Sequence, residues 1–343
     1  MRLAAIRARH PKRCGRYRYD KRALTSGDPD SVNAAAVKAP HTPVMLDEVL
    51  AGLSVRAAGF YVDATFGRGG HSAAILAQLG DAGQVLALDR DPAAVAWAAQ
   101  QFADDNRIQV VQGSFSHLQA QVETVGMQGK VNGVLLDLGV SSPQFDDPAR
   151  GFSFQHDGPL DMRMDPTSGV SAADWLNNAE PGDIVHILKR YGEEPQARRI
   201  VRALLAARPL HTTAELAALI AEVAPAREPG RHPATKTFQA IRIYINQELQ
   251  ELEAVLPQAL AVLAPAGRLV VISFHSLEDR IVKRFLREQS RGDPFPPDLP
   301  VPASALQPTL KLVGGAQRAS TVEVSHNPRA RSAVLRVAER LAA

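Results

Sequence analysis

The chain has 343 residues, 45% hydrophobic and 22% charged, a balance that supplies a sizeable core and excludes a disordered or fibrous polymer. This length predicts one large domain, or a domain carrying an insertion. No apolar run approaches the roughly 20 residues a bilayer demands, so a spanning protein is not expected. The single cysteine, Cys14, cannot form an internal disulfide and fits a reducing, cytoplasmic setting. No Cys/His cluster has the spacing of a zinc site, so no metal is expected. The formal charge of +3 is set by the N-terminus: residues 1–22 hold nine Lys/Arg against Asp20 alone. Taking those from totals of 39 and 36 leaves 30 basic and 35 acidic residues in the rest.

Residues 1–40 therefore read as a basic, disordered N-terminal extension, ending in a small, polar linker near His41. As a nucleic-acid arm it would gain affinity by releasing counterions. A plain disordered stretch, an upstream start codon or an Arg-rich transit peptide accounts for the same composition. Thr42 and Pro43 then predict a helix start, with Val49, Leu50 and Leu53 as its apolar stripe. Phe60–Ala64 reads as a buried strand, Ser72–Leu79 as a helix stopped by Gly80, and Gln84–Leu88 as a second strand. Asp91 and Pro92 open a helix through Phe102. Strands follow at Ile108–Val111 and Val131–Leu136.

This alternation predicts parallel βαβ units. It stops after Ser142. A Gly/Pro/Asp-rich loop over 146–171 leads into segments that all read helical, at 172–178, 181–191, 196–207, 213–224 and 234–253. The strand signal returns only at Arg268–Ser273, behind the turn Pro265-Ala266-Gly267. Ser276 with Asp279 predicts a capped helix, 292–315 a loop, and Ala333–Val337 a last strand. The expected fold is thus an α/β, Rossmann-like sheet with an inserted all-helical domain. Residues 41–145 and 247–343 form the sheet domain and 146–246 the insertion, expected to recognise substrate.

The most informative segment is Tyr61-Val62-Asp63-Ala64-Thr65-Phe66-Gly67-Arg68-Gly69-Gly70-His71. A hydrophobic strand ends at an acid, and three glycines lead straight into a helix, at the strand ends where open α/β sheets bind ligands. The second strand also ends in an acid, Asp89, which can accept from both hydroxyls of a ribose. A glycine turn plus a ribose acid means a nucleoside cofactor. Gly67 and Gly69 begin a dinucleotide fingerprint, yet Ser72 stands where it ends, an imperfect fit. Asp63 suits an ammonium group better than a pyrophosphate, which it would repel. Together with Asp137 closing the fourth strand, this favours S-adenosyl-L-methionine.

These residues resemble the bacterial ribosomal RNA small-subunit methyltransferase H family. The motifs that carry the resemblance are His41-Thr42-Pro43-Val44-Met45-Leu46-Asp47-Glu48, the stretch from Asp63 to His71, Asp89-Arg90-Asp91-Pro92 and Asp137-Leu138-Gly139-Val140-Ser141-Ser142-Pro143-Gln144. Further on come Arg150-Gly151-Phe152-Ser153-Phe154, the loop from Asp157 to Asp165, Ser273-Phe274-His275-Ser276-Leu277-Glu278-Asp279-Arg280 and Asn327-Pro328-Arg329-Ala330-Arg331-Ser332. The match runs in order from His41 to the C-terminus and leaves residues 1–40 outside. The resemblance implies a Rossmann-like class I methyltransferase sheet with an inserted all-helical domain, and an S-adenosyl-L-methionine-dependent enzyme that methylates the N4 amine of a cytidine in the decoding region of small-subunit ribosomal RNA. Residues matching the family's cofactor contacts are Gly69, Gly70, His71, Asp89, Phe115, Asp137 and Gln144. The implied partner is small-subunit ribosomal RNA within an assembled or nearly assembled 30S particle, with room left for a homodimer.

Methyl transfer to a cytosine amine needs near-attack geometry and a hydrogen-bond acceptor that restores nucleophilic character to a delocalised nitrogen. Many amino-methyltransferases place Asn/Asp-Pro-Pro-aromatic at the end of the fourth strand. This chain has Asp137-Leu138-Gly139-Val140-Ser141-Ser142-Pro143, so Asp137, Ser141 and Ser142 are the candidate acceptors. Asp137 serves a ribose or adenine equally well, and the serines can simply cap a turn. Asp157, Asp161 and Asp165 around Arg163 read as a lid or as a solvated loop, and Phe152 and Phe154 as base-stacking or core residues. Arg198 with Arg202 and Arg280 with Arg284 share helix faces as phosphate stripes or as solvated faces. His275 beside Ser273 and Ser276 lacks a nucleophile elbow and reads as capping. Two rivals remain at this point: a nicotinamide-dependent oxidoreductase and a catalytically silent RNA-binding assembly factor.

Overall fold

Strands β1 (Phe60–Asp63), β2 (Gln84–Asp89), β3 (Ile108–Gln112) and β4 (Val131–Asp137) pair in parallel. β1 and most of β4 are buried on both faces, which is why they read as unbroken apolar runs. With β5 (Leu263–Ser273), β6 (Leu310–Leu312), β7 (Gln317–Arg318) and β8 (Val334–Arg340) they form one sheet of order β3-β2-β1-β4-β5-β8-β6, with β7 pairing β8. β8 is antiparallel to β5. The computed structural model describes residues 43–224, 232–293, 302 and 306–342. The expectations for residues 1–40, for His41 and Thr42, and for part of the 292–315 loop lie outside the described residues.

Helix α1 (Leu46–Leu53) precedes β1; α2 (Gly70–Gln78), α3 (Pro92–Gln101) and α4 (Leu118–Thr124) connect β1 to β4; and α5 (Ser142–Asp146) follows β4. α3 starts as its sequence requires: Asp91 caps it by accepting from Ala93 N at 2.9 Å, and Pro92 occupies the first turn. α1 starts later than expected, at Leu46, because Met45 adopts a left-handed conformation (φ 52°) that ends the preceding turn. One apolar cluster, including Val49, Tyr61, Ile75 and Ile272, covers one face of the sheet; another, including Val62, Leu136, Leu256 and Val282, covers the other.

After α5 come α6 (Ala172–Asn178), α7 (Pro181–Gly192), α8 (Ala197–Ala207), α9 (Thr213–Val223) and α10 (Thr235–Asn246). They share an apolar cluster of their own, from Leu160 through Ile243. The expected single helix over 234–253 is in fact two, because Gln247 takes a left-handed conformation (φ 54°) between α10 and α11 (Glu248–Val262). That break returns the chain to the sheet, where α11 packs beside β5. The turn Pro265-Ala266-Gly267 lies inside β5 as an irregularity, with Ala266 at φ 60° and a register shift against β4. α12 (Ser276–Arg291) is capped by His275 with Glu278, one residue earlier than the Ser276 and Asp279 expected. α13 (Thr321–His326) and the short strands β6 and β7 carry too little periodicity to be read from the sequence. Among the described residues no helix is long and apolar enough to cross a membrane.

Candidate cofactor-binding and active site

The carboxyl ends of β1, β2 and β4 bring Asp63, Asp89 and Asp137 to one edge of the sheet, beside the switch in strand order between β1 and β4. Such a switch opens a crevice above the sheet. Asp63 is 1% exposed; its Oδ2 accepts from Ser72 Oγ at 2.7 Å and its Oδ1 from Thr65 N at 3.2 Å. Burial raises its pKa, against the lowering effects of Ser72, His71 and Thr65. The backbone N–H of Asp137 donates to Thr65 Oγ1 at 2.7 Å, tying β4 to the glycine turn.

Asp89 accepts from Gly67 N at 2.7 Å through Oδ2 and from Asp91 N at 2.8 Å through Oδ1. Burial pushes its pKa up to about 6, reinforced by the negative charges of Asp91 and Asp63. The three glycines have separate reasons. Gly67 (φ +58°) turns the chain, and a Cβ there would meet only Ser141 Cβ at 3.7 Å. Gly69 (φ +73°) is crowded, since its Cβ would lie 2.7 Å from the Phe66 ring and 2.9 Å from Phe102. A Cβ on Gly70 would strike Pro43. Gly69 and Gly70 thus owe their identity to packing that shapes the turn, whereas Gly67 borders open space.

His71, in the first turn of α2, is 6% exposed and its Nε2 stands 3.4 Å from Asp137 Oδ2. Neither ring nitrogen of His71, nor Asp137 Oδ1, has a hydrogen-bond partner among the described residues. Burial opposes protonation of this imidazole, but Asp137, then Asp63 and Glu323, outweigh it and raise its pKa. Orphaned buried polar atoms facing a site with three carboxylates fit a ligand that brings donors and positive charge. The amino-acid ammonium, sulfonium and ribose hydroxyls of S-adenosylmethionine supply both.

Other expected residues lie in the surrounding wall. Phe115 follows β3 in a 3-10 turn and packs half-buried against the sheet core. Gln144 is buried, and both ends of its amide are engaged: Oε1 accepts from Ser141 N at 2.9 Å and Nε2 donates to Asp91 Oδ2 at 2.9 Å. Ser141 stands at the N-cap of α5. Ser142 is half-exposed in its first turn, and its hydroxyl has no partner among the described residues.

From the sequence Asp91 reads as a helix opener within the run Asp89-Arg90-Asp91-Pro92. The structure makes it a hub: besides Gln144, its Oδ2 accepts from Arg150 Nη1 at 2.7 Å. Arg150 Nη2 in turn holds the carbonyls of Arg163 and Met164. Asn246, missed altogether, is 2% exposed at the end of α10; it donates to Met162 O at 2.7 Å and accepts from Met164 N at 2.8 Å. Asp91 and Arg150 stand in the runs Asp89-Arg90-Asp91-Pro92 and Arg150-Gly151-Phe152-Ser153-Phe154, whereas Asn246 has no such signal. Asp161 pairs with Arg163 at 2.7 Å, Asp165 with Thr167 and Ser168 at 2.9 Å or less, and Asp157 bonds Gly158 N and Ala214 N, so the acids of this loop order its turns. Phe152 is buried and Phe154 packs on His232 and Phe238, which makes both core residues.

A sheet of this order, with a glycine turn after β1 and acids ending β1, β2 and β4, defines a Rossmann-like methyltransferase rather than a dinucleotide oxidoreductase. The chain belongs to the MraW methylase family, whose model matches residues 38–341, and is an S-adenosyl-L-methionine-dependent methyltransferase. It is 59% identical over 306 residues to the ribosomal RNA small subunit methyltransferase H of Thiobacillus denitrificans (88% of this chain, 97% of that one). Identity is 57% to the protein of the same name from Thioalkalivibrio sulfidiphilus, over 88% of this chain and 98% of the relative. A solved rRNA methylase from Streptococcus thermophilus aligns with a TM-score of 0.40 at 11% identity, covering 86% of this chain and 95% of that one.

Proposed function

We propose that the protein methylates the exocyclic N4 amine of a cytidine in the decoding region of small-subunit (16S) ribosomal RNA, acting in the cytoplasm on an assembled or nearly assembled 30S particle. The ribosomal substrate rests on the names of relatives more than half identical over nearly their full length. The cytosine amine rests on the family resemblance and on the acceptors at the end of β4. The observation that carries the cofactor's place is the cradle of buried Asp63 and half-buried Asp89 and Asp137, with the orphaned atoms of His71 and Asp137 inside it.

In this reading Asp89 holds the ribose hydroxyls, Asp63 and His71 face the amino-acid end, and Phe115 flanks the base. Gly69 and Gly70 shape the turn. Gln144 braces this wall through Asp91. When bound, the cofactor supplies an electrophilic methyl group on a sulfonium. The chain's own residues must hold the amine in line and keep water out. Asp137, Ser141 or Ser142 accepts a hydrogen bond from the amine, drawing electron density onto its nitrogen as the new bond forms. The helical segment 146–246 carries substrate recognition, with the Arg150 and Asn246 contacts holding residues 162–164 in place.

The test is mass spectrometry of 16S rRNA nucleosides from cells with and without the gene. Loss of an N4-methylated cytidine in the deletion strain supports the proposal. An unchanged profile contradicts it, and particle binding without methyl transfer would support a silent assembly factor instead.

A further inference from the structure

Outside the cofactor site the surface is far from uniform in charge. The chain beyond residue 22 has more acids than bases, yet α8 carries Arg198, Arg199 and Arg202 and no acid at all. All three are exposed, while Ile200, Val201 and Leu204 face the core. α12 presents a second row: Arg280, Lys283, Arg284 and Arg287 are exposed at spacings of three and four, so they share one face.

The two rows meet. Glu193, which caps α7 five residues before Arg198, pairs with Arg280 Nη2 at 3.6 Å, and both partners are exposed. Of the neighbouring acids, Asp279 is engaged by Arg336 at 2.7 Å and Glu253 by Arg284 at 3.3 Å, while Glu288 is a single exposed acid towards the far end of α12. Among the described residues nothing pairs with the side chains of Arg198, Arg202, Lys283 or Arg287. Like charges one turn apart repel and weaken a helix, so such rows are costly unless a polyanion meets them.

The start of α12 also lies at the cofactor edge of the sheet. α12 begins three residues after β5 ends, and Phe274 in that connection sits against Gly139, two residues past Asp137. We propose that the exposed rows of α8 and α12, joined through Glu193 and Arg280, form one track for the phosphate backbone of the substrate RNA, leading to the cofactor edge. This rests on the ribosomal RNA reading above and extends it to a surface. Phosphate contacts of this kind position an RNA without reading its sequence.

The experiment measures binding of the full chain to deproteinised 16S rRNA and to small subunits over a range of salt, with S-adenosylmethionine affinity as a control. The variants are R198Q/R202Q and K283Q/R287Q, all at exposed positions, with melting temperature checked. Each lost phosphate contact flattens the slope of log K against log salt by about one, so each double variant should lose about two. Both should bind the cofactor like the native protein. Native-like slopes in both variants overturn the track while leaving the ribosomal reading intact. Weakened binding to particles with unchanged binding to bare RNA would mean a protein contact and also overturns it. A native protein that binds neither RNA nor particle overturns this proposal and the function on which it rests together.

Discussion

The backbone amide of Gly67 donates to Asp89 Oδ2 at 2.7 Å, so the glycine turn after β1 and the acid closing β2 are one unit. The turn's conformation and the carboxylate's orientation are therefore set together. In the proposed reading, the carboxylate that holds the turn in the free protein also offers its remaining lone pairs to a ribose.

Replacement of Asp89 by alanine should remove charge-assisted hydrogen bonds to the cofactor, about 1.5–3 kcal/mol, or roughly tenfold to hundredfold in affinity. Isothermal titration with S-adenosylmethionine checks this. Unchanged affinity would remove Asp89 from the site.

Cofactor affinity should fall as pH drops through about 6, where Asp89 takes up a proton and loses acceptor capacity. His71, whose pKa is also raised, works in the same direction, because its protonated ring adds positive charge beside a cationic ligand. Binding near this pH should release protons, seen as a dependence of the titration heat on the buffer's ionisation enthalpy. The folding linkage has the opposite sense. A carboxyl with a raised folded pKa contributes no penalty below about 4 and a growing one as pH rises through about 6, so Asp89 makes the free protein less stable at pH 7 than at pH 5.

The glycines separate packing from binding. Gly69→Ala should destabilise the fold by about 2 kcal/mol or more, since its new methyl meets two aromatic rings at a left-handed φ. Gly67→Ala makes only an ordinary contact with Ser141 Cβ at 3.7 Å, so strain at φ +58° is its main cost, about 1 kcal/mol. Its larger effect should be on cofactor affinity. Thermal unfolding and titration of both variants check the ordering.

Asn246→Ala should cost about 2–4 kcal/mol, because Met162 O and Met164 N lose buried partners at once. Urea unfolding measures it. The loosened 162–164 segment should also lower kcat/KM for methyl transfer with cofactor affinity nearly unchanged.

Much of this was legible in the chain because local chemistry and tertiary role agree. β1, β2 and β4 are apolar runs ended by acids, and these same acids meet at the sheet edge. Asp91 and Pro92 start α3 both as a local cap and in the fold. The left-handed residues were not legible: Met45 and Gln247 break helices without a glycine to mark them, and α1 and the α10–α11 joint were misplaced accordingly. The cap of α12 lies one residue before the sequence expectation because His275, an uncommon capping residue, fills the place expected of Ser276. Long-range partners escaped for a different reason. The links of Asp91 to Arg150 and of Asn246 to Met164 join residues 59 and 82 positions apart, and neither has a local pattern.

The most direct measurement is a crystal structure of the protein with S-adenosylhomocysteine. The account predicts the ribose hydroxyls on the Asp89 carboxylate, with the amino-acid end beside Asp63 and His71. A nucleoside seated elsewhere, or a cradle still closed on its own side chains, would contradict it.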